Sequence, residues 1–343
     1  KKGQSMMEQT AKRHRRMNLL IFLMPFLAVV FCIGIGRYHI TPLESLKILI
    51  SPFTGMEADA QAWSVIFRVR LPRILLALAV GMGLSISGAS FQALFSNPLA
   101  TPDTLGVATG ASFGAVLALL FTSNILIVQV SALLMGLLAL AGTCLISRLN
   151  GKSSILMVVL GGMVVSSLFQ ALVSLVKYVA DPEEELPAIT YWLMGSMSRA
   201  TYQGLLVGLP FILIGAGILF LLRWRLNILS LQEDETKALG IDVKKLRLLV
   251  MTASTLVTAA CVSLCGQVGW VGLLIPHAAR MLYGSDNRKV IPVSIGLGSA
   301  FMVAIDTASR AATAAEIPVS ILTAIIGAPF FILLLRKTGG ARL

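Results

Sequence analysis

R-V-R-L-P-R-I-L-L-A-L-A-V-G-M-G-L-S-I-S-G-A-S-F-Q-A-L-F-S-N-P-L-A-T-P-D-T-L-G, residues 68–106, joins an arginine cluster to a long apolar run, then crosses a proline-punctuated turn without another basic residue. A run of that length reads as a membrane helix. With charge at one end and a polar, turn-forming backbone at the other, it connects two working surfaces like a rod.

The rest of the chain has the same character. Of its 343 residues, 56% are apolar and only 13% charged, against roughly a quarter charged in soluble folds. The apolar residues form long runs, so lipid is the relevant solvent, and backbone groups inside it must be satisfied by helices. A formal net charge of +12 raises nucleic acid as a partner, but the lysines and arginines gather at the ends of apolar runs. Membrane orientation accounts for that placement, and no nucleic-acid partner is expected. Cys32, Cys144, Cys261 and Cys265 all lie within apolar runs. Cys261 and Cys265 share a helical face without a nearby histidine or carboxylate, so they read as small apolar residues, and no metal site is expected.

Apolar runs predict about ten spans, near 17–35, 74–95, 105–121, 128–146, 155–176, 205–222, 246–268, 271–282, 290–312 and 318–335. The eighth is too short to cross roughly 30 Å of hydrocarbon at about 1.5 Å per residue, and it contains Pro276 and His277. Such a broken segment belongs in the bundle interior. Residues 1–16 read as a cytoplasmic tail and the first run as a retained signal anchor. Residues 17–335 form a single transmembrane domain, and residues 336–343 a second cytoplasmic tail. With the N-terminus inside, 20 of the 28 basic residues fall on the cytoplasmic side, so the positive-inside rule predicts an N-in, C-in all-α polytopic protein.

That topology puts Arg70, Arg73 and Arg310 outside, where arginine is scarce. Snorkelling to lipid headgroups is the ordinary reading. Pro72 and the three-residue spacing of Arg70 and Arg73 also favour two guanidiniums on one side of a rigid helix start, suited to carboxylates. Between spans six and seven, residues 228–245 carry Glu233, Asp234, Glu235 and Lys237, a stop at Gly240 and a helix cap at Asp242. They read as a short cytoplasmic helix that is either a connector or a knob for a partner. Gly88 precedes Pro98 by ten residues and Gly266 precedes Pro276 by ten, a weak echo of an inverted repeat. Asn150–Ser153 lacks the first glycine of a phosphate loop. Asp306 is the main acidic residue within a span, too little for a proton-coupled carrier, so the energy should come from another subunit.

At these residues the chain resembles the permease subunits of the type II ABC importers for iron chelates, haem and cobalamin. R-L-P-R at 70–73, S-G-A-S-F-Q-A-L-F-S-N-P-L-A-T-P at 87–102, L-G at 105–106, A-L-G at 238–240, G-W-V-G-L-L-I-P-H at 269–277 and E-I-P-V at 316–319 carry the likeness in order. The resemblance implies a ten-helix subunit in the bacterial inner membrane that pairs with a second permease copy. Two cytoplasmic ATPase subunits would supply ATP and Mg chemistry, leaving this chain with no cofactor and no catalytic residue. It implies that an external substrate-binding protein docks through carboxylates on Arg70, Arg73 and Arg310. Asn97 and Leu99 would lie at a cytoplasmic gate, and Leu239 and Gly240 in the ATPase contact. Ferric siderophore is the favoured cargo, being the commonest in the family, with haem and cobalamin next. The rival reading is an ion-coupled secondary transporter using Asp306. An intramembrane enzyme would need a catalytic partner for His277, and none is near it in sequence.

Overall fold

The computed structural model describes residues 2–55, 59–147, 155–230 and 242–338, and nearly all of them are helical. In chain order the helices are α1 (Lys2–Gly34), α2 (Pro42–Thr54), α3 (Ala60–Ser64), α4 (Leu71–Leu94), α5 (Val107–Leu119), α6 (Ile125–Ser147), α7 (Ile155–Val179), α8 (Glu185–Leu193), α9 (Tyr202–Leu221), α10 (Val243–Cys265), α11 (Val271–Tyr283), α12 (Asn287–Ala311) and α13 (Val319–Thr338). Every apolar run marked in the sequence is helical. Six helices among the described residues are long and apolar enough to cross a membrane, and shorter apolar helices cover Leu19–Gly34, Val107–Leu119 and Val319–Leu333.

The quoted stretch is the centre of the bundle. The span containing α4 is 83% buried, against 28% for α7. Helices α9, α10, α11 and α12 pack around α4, while α5 and α6 pair beside them. Without a hydrophobic drive between helices in lipid, small residues permit this crowding. A Cβ on Gly81 would fall on the Gly298 carbonyl of α12, and one on Gly88 would fall on the Gly272 carbonyl of α11. Hydroxyls add polar ties: Ser87 Oγ lies 2.9 Å from the Ser254 carbonyl and 2.8 Å from Thr258 Oγ1, both on α10.

Capping residues set several helix ends. Thr41 Oγ1 accepts from Glu44 N–H, Pro42 occupies the first turn of α2, and Gly55 closes that helix at φ 66°. Asp242 caps α10 by accepting from Lys245 N–H at 3.1 Å, as its position in the sequence predicts. Arg70 and Arg73, in contrast, do not sit at a helix start. Helix α3 runs through a π-helical segment, Val65–Arg70, straight into α4. Pro72 has no N–H to donate, and the wider π turn bridges the gap through Leu71 N–H to the Ile66 carbonyl. Nor do the two glycines of the supposed repeat match. Gly88 lies inside a helix at a close crossing, whereas Gly266 ends α10 at φ 76°.

Candidate functional site

Arg70, Arg73 and Arg310 lie together, and they are buried rather than presented outward. Arg70, Arg73 and Arg310 are 3%, 4% and 8% exposed. Arg73 Nε donates to Asp306 Oδ1 at 2.6 Å, and its Nη1 reaches both oxygens of Glu316 at 2.9 Å. Arg310 Nε lies 3.8 Å from Asp306 Oδ2, one turn along α12. Among the described residues no carboxylate pairs with Arg70. Its Nη1 donates to the carbonyls of Ile33 at 2.6 Å and Gly34 at 2.9 Å, and Nη2 to that of Tyr38. Arg310 joins it, donating to the carbonyls of Cys32 and Ile35, each at 2.5 Å.

The Ile33 and Gly34 carbonyls are orphan acceptors at the end of α1, where the helix dipole favours positive charge, and those of Ile35 and Tyr38 follow just past it. Gly36 leaves the guanidiniums room: a Cβ there would lie 2.8 Å from Arg70 Nη2 and 3.1 Å from Arg310 Nη1. The cluster therefore closes a helix end and neutralises a buried acid at once. Among the described residues its charges do not cancel, since three guanidiniums face two carboxylates, and Arg73 Nη2, Arg310 Nε and Asp306 Oδ2 are buried without a hydrogen-bond partner. Glu316 is the accessible member, with its side chain 27% exposed on the connector between α12 and α13. The i, i+4 spacing of Asp306 and Arg310 was a legible signal for part of this cluster. No sequence signal pointed to Arg73 meeting Asp306.

At the opposite end of α4 the N-P-L turn is ordered by its own side chain. Asn97 Oδ1 accepts from Leu99 N–H at 2.9 Å, and Ala100 N–H donates to the Asn97 carbonyl at 3.1 Å. This turn chemistry leaves both Asn97 and Leu99 exposed. Nearby, Arg280 of α11 donates to Gln92 Oε1, tying the broken helix to the end of α4. His277 is buried in α11 with its ring edge-on to Phe331, centroids 5.8 Å apart, a packing position as expected. Leu239 and Gly240, and the Asn150–Ser153 match, lie outside the described residues.

Close to that undescribed connector, Asn227 Nδ2 donates to Asp286 Oδ1 at 2.8 Å, and Asn287 N–H donates to Asn227 Oδ1 at 2.8 Å. The Arg288 guanidinium is the main cause of the fall in the Asp286 pKa to about 2, acting against the cost of burial and with help from Asn227. A depressed carboxylate stabilises the fold above its unfolded value of about 3.9, and that gain is lost as pH falls through the folded value. Asp286→Asn keeps a capping side chain but removes the charge. Its melting temperature in detergent should sit slightly below wild type by the same margin from pH 8 to pH 5, converging only below about pH 4. A margin that changes between pH 6 and pH 8 would assign the effect elsewhere.

A cavity of about 240 Å³ opens between α4, α5, α7, α10 and α11, with Thr101, Asp103, Gln170, Gln267 and Trp270 on its wall. Gln267 Nε2 donates to Ser112 Oγ at 2.8 Å. Trp270 holds φ 70°, a conformation that costs a non-glycine residue of order 1–3 kcal/mol, and its indole lies against Gly327 of α13. The wall of the cavity mixes these polar groups with apolar Leu84, Val262, Val268 and Leu273, and Asp103 and Gln170 are exposed at its edge.

Residues 22–337 match the model of the FecCD transport family. The chain belongs to that family. It is 44% identical over 311 residues to the molybdate import system permease of Haemophilus influenzae, covering 91% of this chain and 92% of the relative. The cobalamin import system permease of Halobacterium salinarum is 40% identical over 283 residues, covering 82% and 75% of the two chains. A solved metal-chelate-type ABC transporter in an inward-facing conformation superposes with a TM-score of 0.85 at 41% identity, covering 94% of this chain and 99% of that one. The protein is thus an ABC importer permease of the FecCD family, a polytopic transport subunit whose ATPase resides in a separate chain.

Proposed function

We propose that the chain pairs with a second permease copy in the bacterial inner membrane, N-terminus inside, and passes a metal-containing cargo inward as two ATPase subunits hydrolyse ATP. An external substrate-binding protein docks on Arg70, Arg73 and Arg310. The observation that carries this reading is the charge excess of that cluster, three guanidiniums against two carboxylates among the described residues, with two donors, Arg73 Nη2 and Arg310 Nε, left over. A partner carboxylate supplies the missing charge, reaching it where Glu316 is partly exposed. Asn97 and Leu99 act at the cytoplasmic gate, and Leu239 and Gly240 meet the ATPase. Asp306 is committed to Arg73, which argues against its serving as the ion-binding acid of a secondary carrier.

Ferric siderophore is the first cargo reading. Molybdate is the second, favoured by the identity to the Haemophilus influenzae relative. The permease and its ATPase, reconstituted in vesicles with the binding protein, should accumulate one labelled cargo only when ATP is supplied on the ATPase side. Accumulation driven by an ion gradient without ATP would sink the reading. Parallel uptake of ferric siderophore, molybdate, haem and cobalamin then decides among cargoes.

A further inference from the structure

Helix α2 leaves the end of α1 and leads into the helix that carries Arg70 and Arg73, so it lies at the membrane face of the arginine cluster. Its 13 residues extend about 20 Å, too short to cross roughly 30 Å of hydrocarbon. One side packs inward through Ser45, Ile48 and Ser51. The other side carries Leu43, Leu46, Ile50 and Phe53, all exposed, with Phe53 at 91%. Spacings of three, four and three residues align these four on a single stripe.

We propose that α2 lies in the plane of the membrane with this stripe seated at the headgroup–acyl boundary, its occupant being phospholipid. Three observations select lipid over a protein partner. The stripe follows in the chain on α1, whose apolar stretch Leu19–Gly34 also exposes large side chains, among them Phe22, Phe26 and Phe31. Lys47 lies on the arc between the stripe and the buried side, where an interfacial helix places its charges, and Glu44 is exposed in the first turn. Tyr38 and Trp63, exposed on either side of α2, are the residue types that settle at the membrane–water boundary.

The placement has a consequence for the arginines. A Cβ on Gly34 would lie 2.9 Å from the Ile40 carbonyl and 3.3 Å from Ser45 Oγ, so α2 presses on the same helix end that Arg70 clasps. Lipid seating of α2 fixes the depth of that end, and with it the depth of the cluster.

The test places nitroxide labels singly at positions 43, 46, 50 and 53, and at 44 and 47 as controls. The full chain, with Cys32, Cys144, Cys261 and Cys265 replaced by serine, is reconstituted in phosphatidylethanolamine–phosphatidylglycerol vesicles. The ratio of collisions with oxygen to collisions with a water-soluble nickel chelate should be several-fold higher at 46, 50 and 53 than at 44 and 47. Nickel-dominated collisions at every site would mean that the stripe faces water, and weak collisions with both would mean that protein covers it. Either result overturns the proposal. Because the four serines include two at the buried positions 261 and 265, the wild-type chain is also irradiated with a diazirine phospholipid. Lipid adducts within 42–54 are expected, and adducts on α1 without any on α2 would overturn the proposal independently.

Discussion

Gly88→Val is expected to abolish the folded permease. The position lies where α4 crosses α11 backbone on backbone, and the added Cβ would coincide with the Gly272 carbonyl. A rotamer change cannot relieve such a clash, because neither colliding group is the far end of a side chain. Overpacking a core that can adjust costs about 1–3 kcal/mol. Here two helices must separate, and α4 also contacts α12 through Gly81 against Gly298, so the loss should exceed that range. The control is Gly217→Val on α9, where nothing lies within 4 Å of the added carbon. Fluorescence-detected size exclusion of detergent-solubilised protein should give a normal peak for the control and aggregate or no protein for Gly88→Val. A monodisperse Gly88→Val with an unchanged melting temperature would show that the crossing is looser than its geometry requires.

What could be read in advance followed from how far apart the signals lie. The ten apolar runs were legible because each helix carries its own hydrophobic record. Asp242 was legible as a cap because capping is local. Helix α2 escaped because a search for spans passes over a short segment holding Glu44 and Lys47. Yet Thr41-Pro42 and Gly55 mark its start and stop as clearly as any helix in the chain. The arginines show the harder limit. Their shared location followed from topology, but their burial depends on Arg73 meeting Asp306, 233 residues away, and on Arg70 meeting the end of α1. Spacing within one helix carries no information about such contacts. Proline at 72 also misled: a helix start was expected, and the π segment lets the helix continue through it.

Separating the structural duty of Arg73 from its docking duty requires a pair of substitutions. Arg73→Met alone should destabilise the chain by about 3–5 kcal/mol, because Asp306 would remain buried with only the more distant Arg310 as counter-ion. Arg73→Met combined with Asp306→Leu removes both charges of the close pair and replaces them with apolar volume. The double variant should recover at least half of the lost stability, since a buried ion pair contributes little beyond what its own desolvation consumes. Arg310 keeps its bonds to the Cys32 and Ile35 carbonyls, so the end of α1 stays capped in the double variant. Thermal unfolding in detergent measures the first effect, and binding-protein affinity for the permease in vesicles measures the second. If Arg73 also docks, the folded double variant should still bind the partner more weakly than wild type, most clearly at low salt, where charge pairing is least screened. Wild-type affinity in a stable double variant would assign Arg73 to architecture and leave docking to Arg70 and Arg310. A double variant no more stable than Arg73→Met would instead mean that Glu316 and Arg310 need the charged pair to hold their places.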